Sequence, residues 1–145
     1  MNTTIRTMKE ADRAQILAMM RVFYASPAVL SNGSEAIFAA DFRACVGGSP
    51  YLEGYVFENG DEIQGYAMLA KSFSTEFGKP CIWIEDLYVK DKYRGIGIGS
   101  QFLCFVESKY PDAVLRLEVE AENERALRVY KSCGFDPLPY MEMKK

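Results

Sequence analysis

Histidine is absent from the 145 residues of this chain. Its absence excludes Ser-His-Asp and Cys-His catalysis, histidine-ligated zinc and any imidazole that would carry protons near neutral pH. Acid–base chemistry must therefore come from glutamate, aspartate, tyrosine, cysteine, lysine, a chain terminus or water. We expect no metal site.

Long apolar runs, an excess of basic charge and paired cysteines are also missing. No stretch approaches the roughly 18 apolar residues of a membrane span, and the first residues carry both charges without the apolar core of a signal peptide. The net charge of −3 gives no excess of basic residues of the kind that binds nucleic acid. We therefore expect a cytoplasmic protein without nucleic-acid or membrane partners. The cysteines lack CxxC spacing and lie in apolar stretches, which indicates reduced core residues: Cys45, Cys81, Cys104 and Cys133.

The apolar pattern predicts one α+β domain over residues 1–145, because a chain of this length buries about two-thirds of its unfolded surface, enough for one core. Alternation and helical spacing predict the order βααβββαβαβ, with helices packed on a mixed sheet. Asn59-Gly60 is a strong hairpin signal, and Ser34 is a predicted helix N-cap. The predicted strands are Thr3–Met8, Tyr51–Glu58, Glu62–Lys71, Cys81–Val89, Ala113–Val119 and Tyr140–Met143.

Alternating glycines, Gly95, Gly97 and Gly99, stand between the predicted strand Cys81–Val89 and the helix that follows it. Glycine lets a ligand approach the backbone closely, and the unpaired N–H groups of a helix N-terminus favour an anion such as a pyrophosphate. The spacing fits neither the G-x-G-x-x-G dinucleotide motif nor the P-loop. Taken alone, the run fits a flexible turn without a ligand equally well.

Two segments resemble the conserved blocks of the GNAT N-acetyltransferases. The run from Arg94 to Gly99, preceded by Leu87-Tyr88-Val89, is similar to the acetyl-CoA signature R/Q-x-x-G-x-G/A of that family. Asn123, with Tyr130 seven residues later and Gly134-Phe135 after it, is similar to the second block. The match in motifs extends from about residue 81 to residue 135, and the order of elements agrees over the whole chain.

The resemblance implies a GNAT-like mixed sheet with helices on both faces and an opening between two neighbouring strands for acetyl-CoA. Backbone groups of Leu87 and Val89 would pair with the pantetheine, and Arg94 would contact phosphate in preference to a carboxylate. Asn123 would contact the cofactor, and N–H groups from residues 95–100 would hold the pyrophosphate. The cofactor-binding residues implied in this way are Leu87, Val89, Arg94, Gly95, Ile96, Gly97, Ile98, Gly99, Ser100 and Asn123.

The resemblance also implies that Tyr130 points at the thioester sulfur. Asn123, Leu127 and Tyr130 share one helical face, so Tyr130 and Asn123 can face the same cleft. The tyrosine hydroxyl can protonate the departing thiolate, which we predict as its catalytic role. The alternative is a core tyrosine whose hydroxyl finds a backbone partner.

Glu85 is the predicted general base. Strand alternation places it on the face of Trp83, Leu87 and Val89, where apolar neighbours would raise the pKa of its carboxyl. The Glu85-Asp86 pair also resembles that of the diamine N-acetyltransferases, which act on spermidine and spermine. As alternatives, Glu85 attracts a cationic substrate while water carries the proton, or it forms a simple salt bridge. A bulge in this strand would change which of the two carboxylates faces the cleft, so Asp86 is the reserve candidate.

The resemblance implies an enzyme that transfers acetyl from acetyl-CoA to a primary amine by direct attack in one ternary complex. The acidic balance and the Glu85-Asp86 pair favour a cationic small-molecule acceptor. Acetylation of a protein or peptide N-terminus, of an antibiotic amine or of an amino acid is the alternative within enzymes. A non-catalytic acyl-CoA-binding module is the alternative that is not an enzyme. The sequence leaves open whether the chain forms a homodimer.

Overall fold

The computed structural model describes residues 2–145. Two short 3-10 turns, Glu10–Asp12 and Asp91–Tyr93, precede the first and third helices. The five strands are β1 (Thr4–Thr7), β2 (Leu52–Asn59), β3 (Glu62–Ser74), β4 (Lys79–Val89) and β5 (Val114–Leu117). The four helices are α1 (Arg13–Tyr24), α2 (Glu35–Val46), α3 (Ile98–Lys109) and α4 (Glu124–Ser132).

The strands form one mixed sheet in the order β1-β2-β3-β4-β5. The first four strands pair antiparallel, and β4 pairs parallel with β5. Gly60, with φ of 62°, supplies the turn of the β2–β3 hairpin that Asn59-Gly60 predicts. The side chain of Ser34 accepts a hydrogen bond from the backbone N–H of Ile37, which confirms the predicted cap of α2.

Both faces of the sheet are covered, so the central strands read as apolar runs rather than as simple alternation. On one face, α1 and α2 bring Ile16, Met20 and Phe42 against residues such as Val56 and Tyr66. On the other face, α3 and α4 pack on a second cluster: Tyr55, Phe57, Leu69, Ile82, Phe102 and Val106 belong to it. The predicted α+β fold, a mixed sheet with helices on both faces, is confirmed.

The predicted last strand, Tyr140–Met143, is wrong. The described residues after Gly134 form no strand, and the sequence places Pro137 and Pro139 directly before Tyr140, where the missing N–H groups weaken strand pairing. Met143 is 91% exposed, and the Tyr140 hydroxyl donates to Glu76 on the β3–β4 connection. The residues from Tyr140 to Met143 alternate in polarity, but they pair with no strand of the sheet.

The cysteines are free thiols, but they are not all core residues as predicted. Cys81 is buried, Cys45 and Cys133 are partly buried, and Cys104 is exposed on the outer side of α3. The apolar residues around Cys104 form the buried stripe of α3, and position 104 lies on the opposite side of the helix. Among the residues described, no helix is long and apolar enough to cross a bilayer.

Candidate active site

Strands β4 and β5 part in the middle of β4. Their pairing runs from Cys81 and Val114 to Ile84 and Leu117, where β5 ends. The following residues of β4 continue for another five positions beside β3 alone. One edge of this half of β4 is therefore left open towards α4.

A β-bulge at Glu85 begins the open half of β4. Met68 of β3 pairs with Asp86 and its neighbour Leu69 pairs with Ile84, so Glu85 has no partner across the ladder. An inserted residue of this kind reverses which side chains of the strand point to each face of the sheet beyond it.

The reversal corrects the predicted faces. Ile84, Leu87 and Val89 all pack in the cluster under α3, whereas Asp86 bonds to a tyrosine of α1. Glu85 does not share a face with Leu87 and Val89, because the simple alternation on which that prediction rested ends at the bulge.

Backbone groups of Leu87 and Val89 point to the open edge. The N–H of Lys90 donates to Gln64 of β3, and successive residues of a strand direct these groups to opposite sides. Those of residues 87 and 89 therefore face away from β3. An extended ligand can pair as an added strand with these groups, apart from the carbonyl oxygen of Val89, which already accepts from Arg94.

Arg94 secures the turn after β4. Its Nε donates to the carbonyl oxygen of Val89 at 2.7 Å, and its Nη1 donates to Asp91 Oδ1 at 2.6 Å. The guanidinium also lies over the ring of Tyr88 at 5.6 Å. In this structure the side chain thus contacts a carboxylate and a carbonyl, rather than standing free for the phosphate contact that we predicted.

The glycine loop leads directly into α3. Gly95 and Gly97 have φ of 82° and 92°, the left-handed region that favours glycine. Ile98 anchors the first turn in the core, while Ile96 is exposed. A Cβ atom on Gly97 or Gly99 would meet no atom within 4 Å. The space outside Gly97 and Gly99 is therefore open, and the first N–H groups of α3, which have no partner within the helix, can bind an anion at this end.

Asn123 is the N-cap of α4. Its Oδ1 accepts a hydrogen bond from the N–H of Ala126 at 3.3 Å, so the side chain has a structural role of its own. Any contact of this side chain with a cofactor would use its Nδ2 as the donor. Sequence reasoning missed this capping role, although Asn before a helix is a standard signal for it.

Tyr130 lies on the α3 side of the sheet. It packs in the same cluster as Leu87 and Val89, and its ring contacts Phe135 edge-on with centroids 6.2 Å apart. Burial alone raises the pKa of its hydroxyl, so the group is protonated at neutral pH. Tyr130 of α4 and the two residues of the open half of β4 thus border the same cluster.

Asp86 lies on the α1 side and is buried, with 3% of its surface exposed. Its Oδ1 accepts from the Tyr24 hydroxyl at 2.7 Å, and its Oδ2 accepts from the Tyr66 hydroxyl at 2.8 Å. Burial raises the pKa of the carboxyl, and the two donors oppose this shift. Both oxygens are held by tyrosines, so Asp86 is a fixed charge rather than a free proton acceptor.

Glu85 and Asp41 complete an acidic cluster around Asp86. Burial and the nearby charge of Asp86 raise the pKa of Asp41 to about 6. The pKa of Glu85 is also raised, first by partial burial and then by Asp86 and Asp41. We name Asp41, Glu85 and Asp86 the carboxylate cluster. Its like charges favour a cation between them.

Sequence reasoning missed Asp41 and Tyr66. One signal was present: Asp41 follows Phe38 by three positions, so an acidic residue lies on the buried stripe of α2. For Tyr66 there was none, because its hydrogen bond to Asp86 depends on how β3 and β4 pair.

Arg125 is a further residue that the sequence did not single out. Its Nη2 lies 3.8 Å from the position that a Cβ atom would occupy on Gly95. The first turn of α4 thus places a guanidinium at the glycine loop. A planar cation beside open helix N–H groups is suited to bind phosphate oxygens.

The chain matches a known protein family over most of its length. The model described as the Acetyltransferase (GNAT) family matches residues 18–135. The chain belongs to the GNAT family of acetyltransferases. Membership confirms the resemblance drawn from the two sequence blocks and the expectation of an N-acetyltransferase.

Three curated relatives of this GNAT chain carry the name thialysine N-epsilon-acetyltransferase. A thialysine N-epsilon-acetyltransferase of Bos taurus is 35% identical over 153 aligned positions, which cover 95% of this chain and 86% of the relative. The enzyme of that name from Mus musculus is 28% identical and covers 97% of this chain and 88% of its own length.

Solved structures share the GNAT fold over nearly the whole chain. A possible acetyltransferase from Clostridium difficile 630 has a TM-score of 0.82 at 18% identity, covering 99% of this chain and 96% of its own. AAC(6')-Iy in complex with the bisubstrate analog CoA-S-monomethyl-acetylneamine has a TM-score of 0.81 at 14% identity, covering 100% and 98%. At these identities the likeness shows the fold alone.

Proposed function

We propose that this protein transfers the acetyl group of acetyl-CoA to a cationic primary amine by direct attack within one ternary complex. The observation that carries the proposal is the position of the acid and base candidates. The carboxylate cluster lies on the α1 side of β4, whereas Tyr130 lies on the α4 side, and β4 and β5 part between them. An amine and a thioester can therefore meet at the bulge from opposite sides.

Acetyl-CoA would occupy the open edge of β4. The pantetheine would pair with backbone groups of Leu87 and Val89, and the pyrophosphate would lie on the N–H groups of residues 95–100. The residues present fit such a ligand, because no atom stands within 4 Å of a Cβ position on Gly97 or Gly99. A solved neighbour of the same fold, AAC(6')-Iy, was determined with a CoA-containing bisubstrate analog.

The acceptor must lose a proton before it attacks. A primary amine with a pKa of about 10.4 is charged at pH 7, and forming its neutral state costs about 4.6 kcal/mol. Glu85 is the cluster carboxylate suited to take this proton, directly or through water, because Tyr24 and Tyr66 hold both oxygens of Asp86. Asp86 and Asp41 would attract the ammonium and hold it beside Glu85.

The bond changes then balance without a covalent enzyme intermediate. The amine nitrogen forms a bond to the thioester carbon, the carbon–sulfur bond breaks, and Glu85 or water keeps the proton from nitrogen. Tyr130 gives its hydroxyl proton to the departing sulfur. Relatives that are named thialysine N-epsilon-acetyltransferases support an acceptor with a terminal amine on a lysine-like chain.

The first experiment measures free thiol released from acetyl-CoA in the presence of an amine panel. The panel comprises a diamine, lysine, a neutral alkylamine, an aminoglycoside and a peptide with a free N-terminus. We expect the highest kcat/KM for a lysine-like or diamine acceptor. Preference for the peptide or the aminoglycoside would favour the alternative acceptors, and CoA binding without thiol release would favour a non-catalytic module.

Glu85→Gln tests the general base. Partial burial and the charges of Asp86 and Asp41 raise the pKa of Glu85, and the rate rises with pH as this carboxyl ionises. Without the carboxylate, only the neutral fraction of the amine reacts, so the rising limb of the pH–rate profile should move to higher pH. Cationic acceptors should also bind more weakly.

Glu10→Gln is the matched control for this variant, since it removes an equal charge from an exposed position on the turn before α1. Its profile should match that of the wild type. A fixed rising limb and unchanged acceptor affinity in Glu85→Gln would show that Glu85 is structural.

Arg125→Ala tests the cationic side chain at the glycine loop. Loss of a charged hydrogen bond to phosphate should raise the KM for acetyl-CoA about tenfold, with kcat at saturation little changed. Arg43→Ala, which removes an exposed guanidinium from α2, should leave this KM unchanged. Equal KM values in the two variants would contradict a role of Arg125 in cofactor binding.

A further inference from the structure

A cavity of about 280 Å³ lies between α3 and the end of α4, and neither the acid nor the base candidate lines it. Its walls come from α3, from β5 and from the residues around the end of α4. Two of the wall residues are cysteines, Cys104 in α3 and Cys133 directly after α4. The other two cysteines lie elsewhere: Cys45 belongs to α2 on the opposite face of the sheet, and Cys81 is buried in β4.

The two thiols at this cavity are free and differ in access to solvent. Cys104 is exposed, whereas Cys133 is partly buried. An exposed thiol exchanges with a dissolved disulfide through its thiolate, while a partly buried one is shielded from a large reagent. A second thiol on the wall of the same cavity is then placed to displace the reagent from the first. The pair thus has the arrangement of an attacking and a resolving cysteine.

Cys133 is linked to Tyr130 through the backbone at the end of α4. The N–H of Cys133 donates to the carbonyl oxygens of Val129 and Tyr130, each at 3.1 Å. The N–H of Phe135 donates to the same Tyr130 oxygen at 3.0 Å. Phe135 also lines the cavity, and its ring contacts the Tyr130 ring edge-on. A displacement of Cys133 therefore acts on the turn that carries Tyr130.

A bond between the two thiols would move α4 rather than α3. A disulfide needs its two Cα atoms between about 4.4 and 6.8 Å apart. The helices leave a cavity beside both thiols, so a bond between them has to draw the end of α4 towards α3. No residue of α4 is fully buried, whereas four buried side chains hold α3 in the core, so α4 is the element more easily displaced.

We propose that Cys104 and Cys133 form a redox-sensitive thiol pair, which a small disulfide such as oxidised glutathione converts into a disulfide joining α3 to α4. The Cys104 thiolate attacks one sulfur of oxidised glutathione, which releases one glutathione and leaves a mixed disulfide on Cys104. The Cys133 thiolate then attacks the Cys104 sulfur and releases the second glutathione. The two cysteines lose two electrons and two protons, which the two glutathione molecules carry away as thiols.

The consequence for catalysis rests on the proposed function, in which Tyr130 protonates the departing sulfur. A disulfide that draws Cys133 towards α3 would displace the phenol from the cluster that it shares with Leu87 and Val89. We expect kcat to fall about tenfold, a part of the roughly 10²-fold that one general acid supplies. Reduction with dithiothreitol should restore it, because the same exchange then runs in reverse.

Mass spectrometry tests the thiol pair without reference to activity. The protein is incubated with oxidised glutathione in the absence of CoA, because Ser100 of the proposed pyrophosphate site also borders the cavity. It is then denatured and alkylated, and its peptides are mapped. We expect two of the four thiols to resist alkylation. The map should show a linked peptide that contains Cys104 and Cys133 and carries no glutathione.

Single variants separate the two steps of the exchange. Cys133→Ser should stop at the mixed disulfide, because no second thiol displaces glutathione from Cys104. Cys104→Ser should take up much less glutathione, since the remaining thiol of the pair is partly buried. Cys45→Ala is the matched control: it removes another partly buried thiol, from the opposite face of the sheet, and should form the disulfide as the wild type does.

Turnover is followed as acetylated amine, because the exchange reaction releases thiols of its own. We expect oxidised glutathione to lower kcat in the wild type and in Cys45→Ala but not in Cys104→Ser. Dithiothreitol should return both oxidised proteins to their starting rates.

A glutathione adduct that persists on Cys104 in the wild type, with Cys133 open to alkylation, would overturn the thiol pair, as would a Cys104 that stays unmodified. Formation of the disulfide with an unchanged kcat would overturn the coupling to Tyr130. A reduced wild type that acetylates no amine would contradict the proposed function, and the peptide map would still decide whether the two thiols form a pair.

Discussion

Gly99→Val is expected to abolish measurable CoA binding while the protein stays folded. Gly99 lies in the first turn of α3, has an ordinary helical φ and has no atom within 4 Å of its Cβ position. Valine is accommodated there without backbone strain and is not a worse helix residue than glycine. Its branched side chain would occupy the space where the pyrophosphate approaches the helix N–H groups. Isothermal calorimetry with CoA measures the loss, and thermal unfolding shows that the fold is retained.

The choice of residue 99 over residue 97 follows from the backbone. Gly97 has φ of 92°, so valine at that position would strain the turn as well as block the ligand, and lost binding would have two explanations. Ser108→Val adds a similar side chain to an exposed site on α3, a little more than two turns away, and should bind CoA as the wild type does. Undiminished CoA affinity in Gly99→Val would place the ligand elsewhere.

Local sequence signals predicted most of the fold because they act over a few residues. Asn59-Gly60 selects a hairpin through the φ of Gly60, and Ser34 caps α2 through its own hydroxyl. The glycine run likewise marked the turn into α3, because Gly95 and Gly97 adopt a positive φ there. The exception, Tyr140–Met143, had the alternation of a strand but no neighbouring strand to pair with it.

The candidate site was less predictable, because its groups converge from distant segments. Sequence identified Glu85 and Asp86 but could not assign their faces, since the bulge depends on the register between β3 and β4. Tyr24 and Asp41 reach Asp86 only after α1 and α2 pack on the sheet. The position of Arg125 beside Gly95 likewise follows from how α4 lies against the loop.

These tertiary contacts change the roles of the two carboxylates. A buried Asp86 whose oxygens both accept tyrosine hydroxyls is held in one position, which suits it to fix a cation rather than to exchange a proton. Glu85, as the inserted residue of the bulge, keeps its carboxylate free of such donors and partly in water. Under the proposed function, Asp86 would therefore attract the ammonium and Glu85 would take its proton.

Tyr130→Phe should lower turnover about 10²-fold, the scale of one general acid. The phenol must be protonated to act, and burial raises its pKa, so it holds its proton across the neutral range. The same apolar surroundings disfavour a bare thiolate and raise the pKa of the departing thiol, so the pKa values of donor and acceptor both shift upward from their aqueous values of about 10 and 8.5. Affinity for acetyl-CoA should change much less, because phenylalanine keeps the ring contact with Phe135.

Tyr140→Phe is the matched control, since it removes a hydroxyl that bonds to Glu76 on the far connection between β3 and β4. Its turnover should equal that of the wild type. Single-turnover measurements report the rate of the chemical step even where product release limits kcat. Under those conditions, the Tyr130→Phe rate should be restored by acyl donors with a more acidic thiol, because a better leaving group needs no proton. A rate equal to that of the wild type with acetyl-CoA itself would instead assign Tyr130 to core packing, and water would then protonate the sulfur.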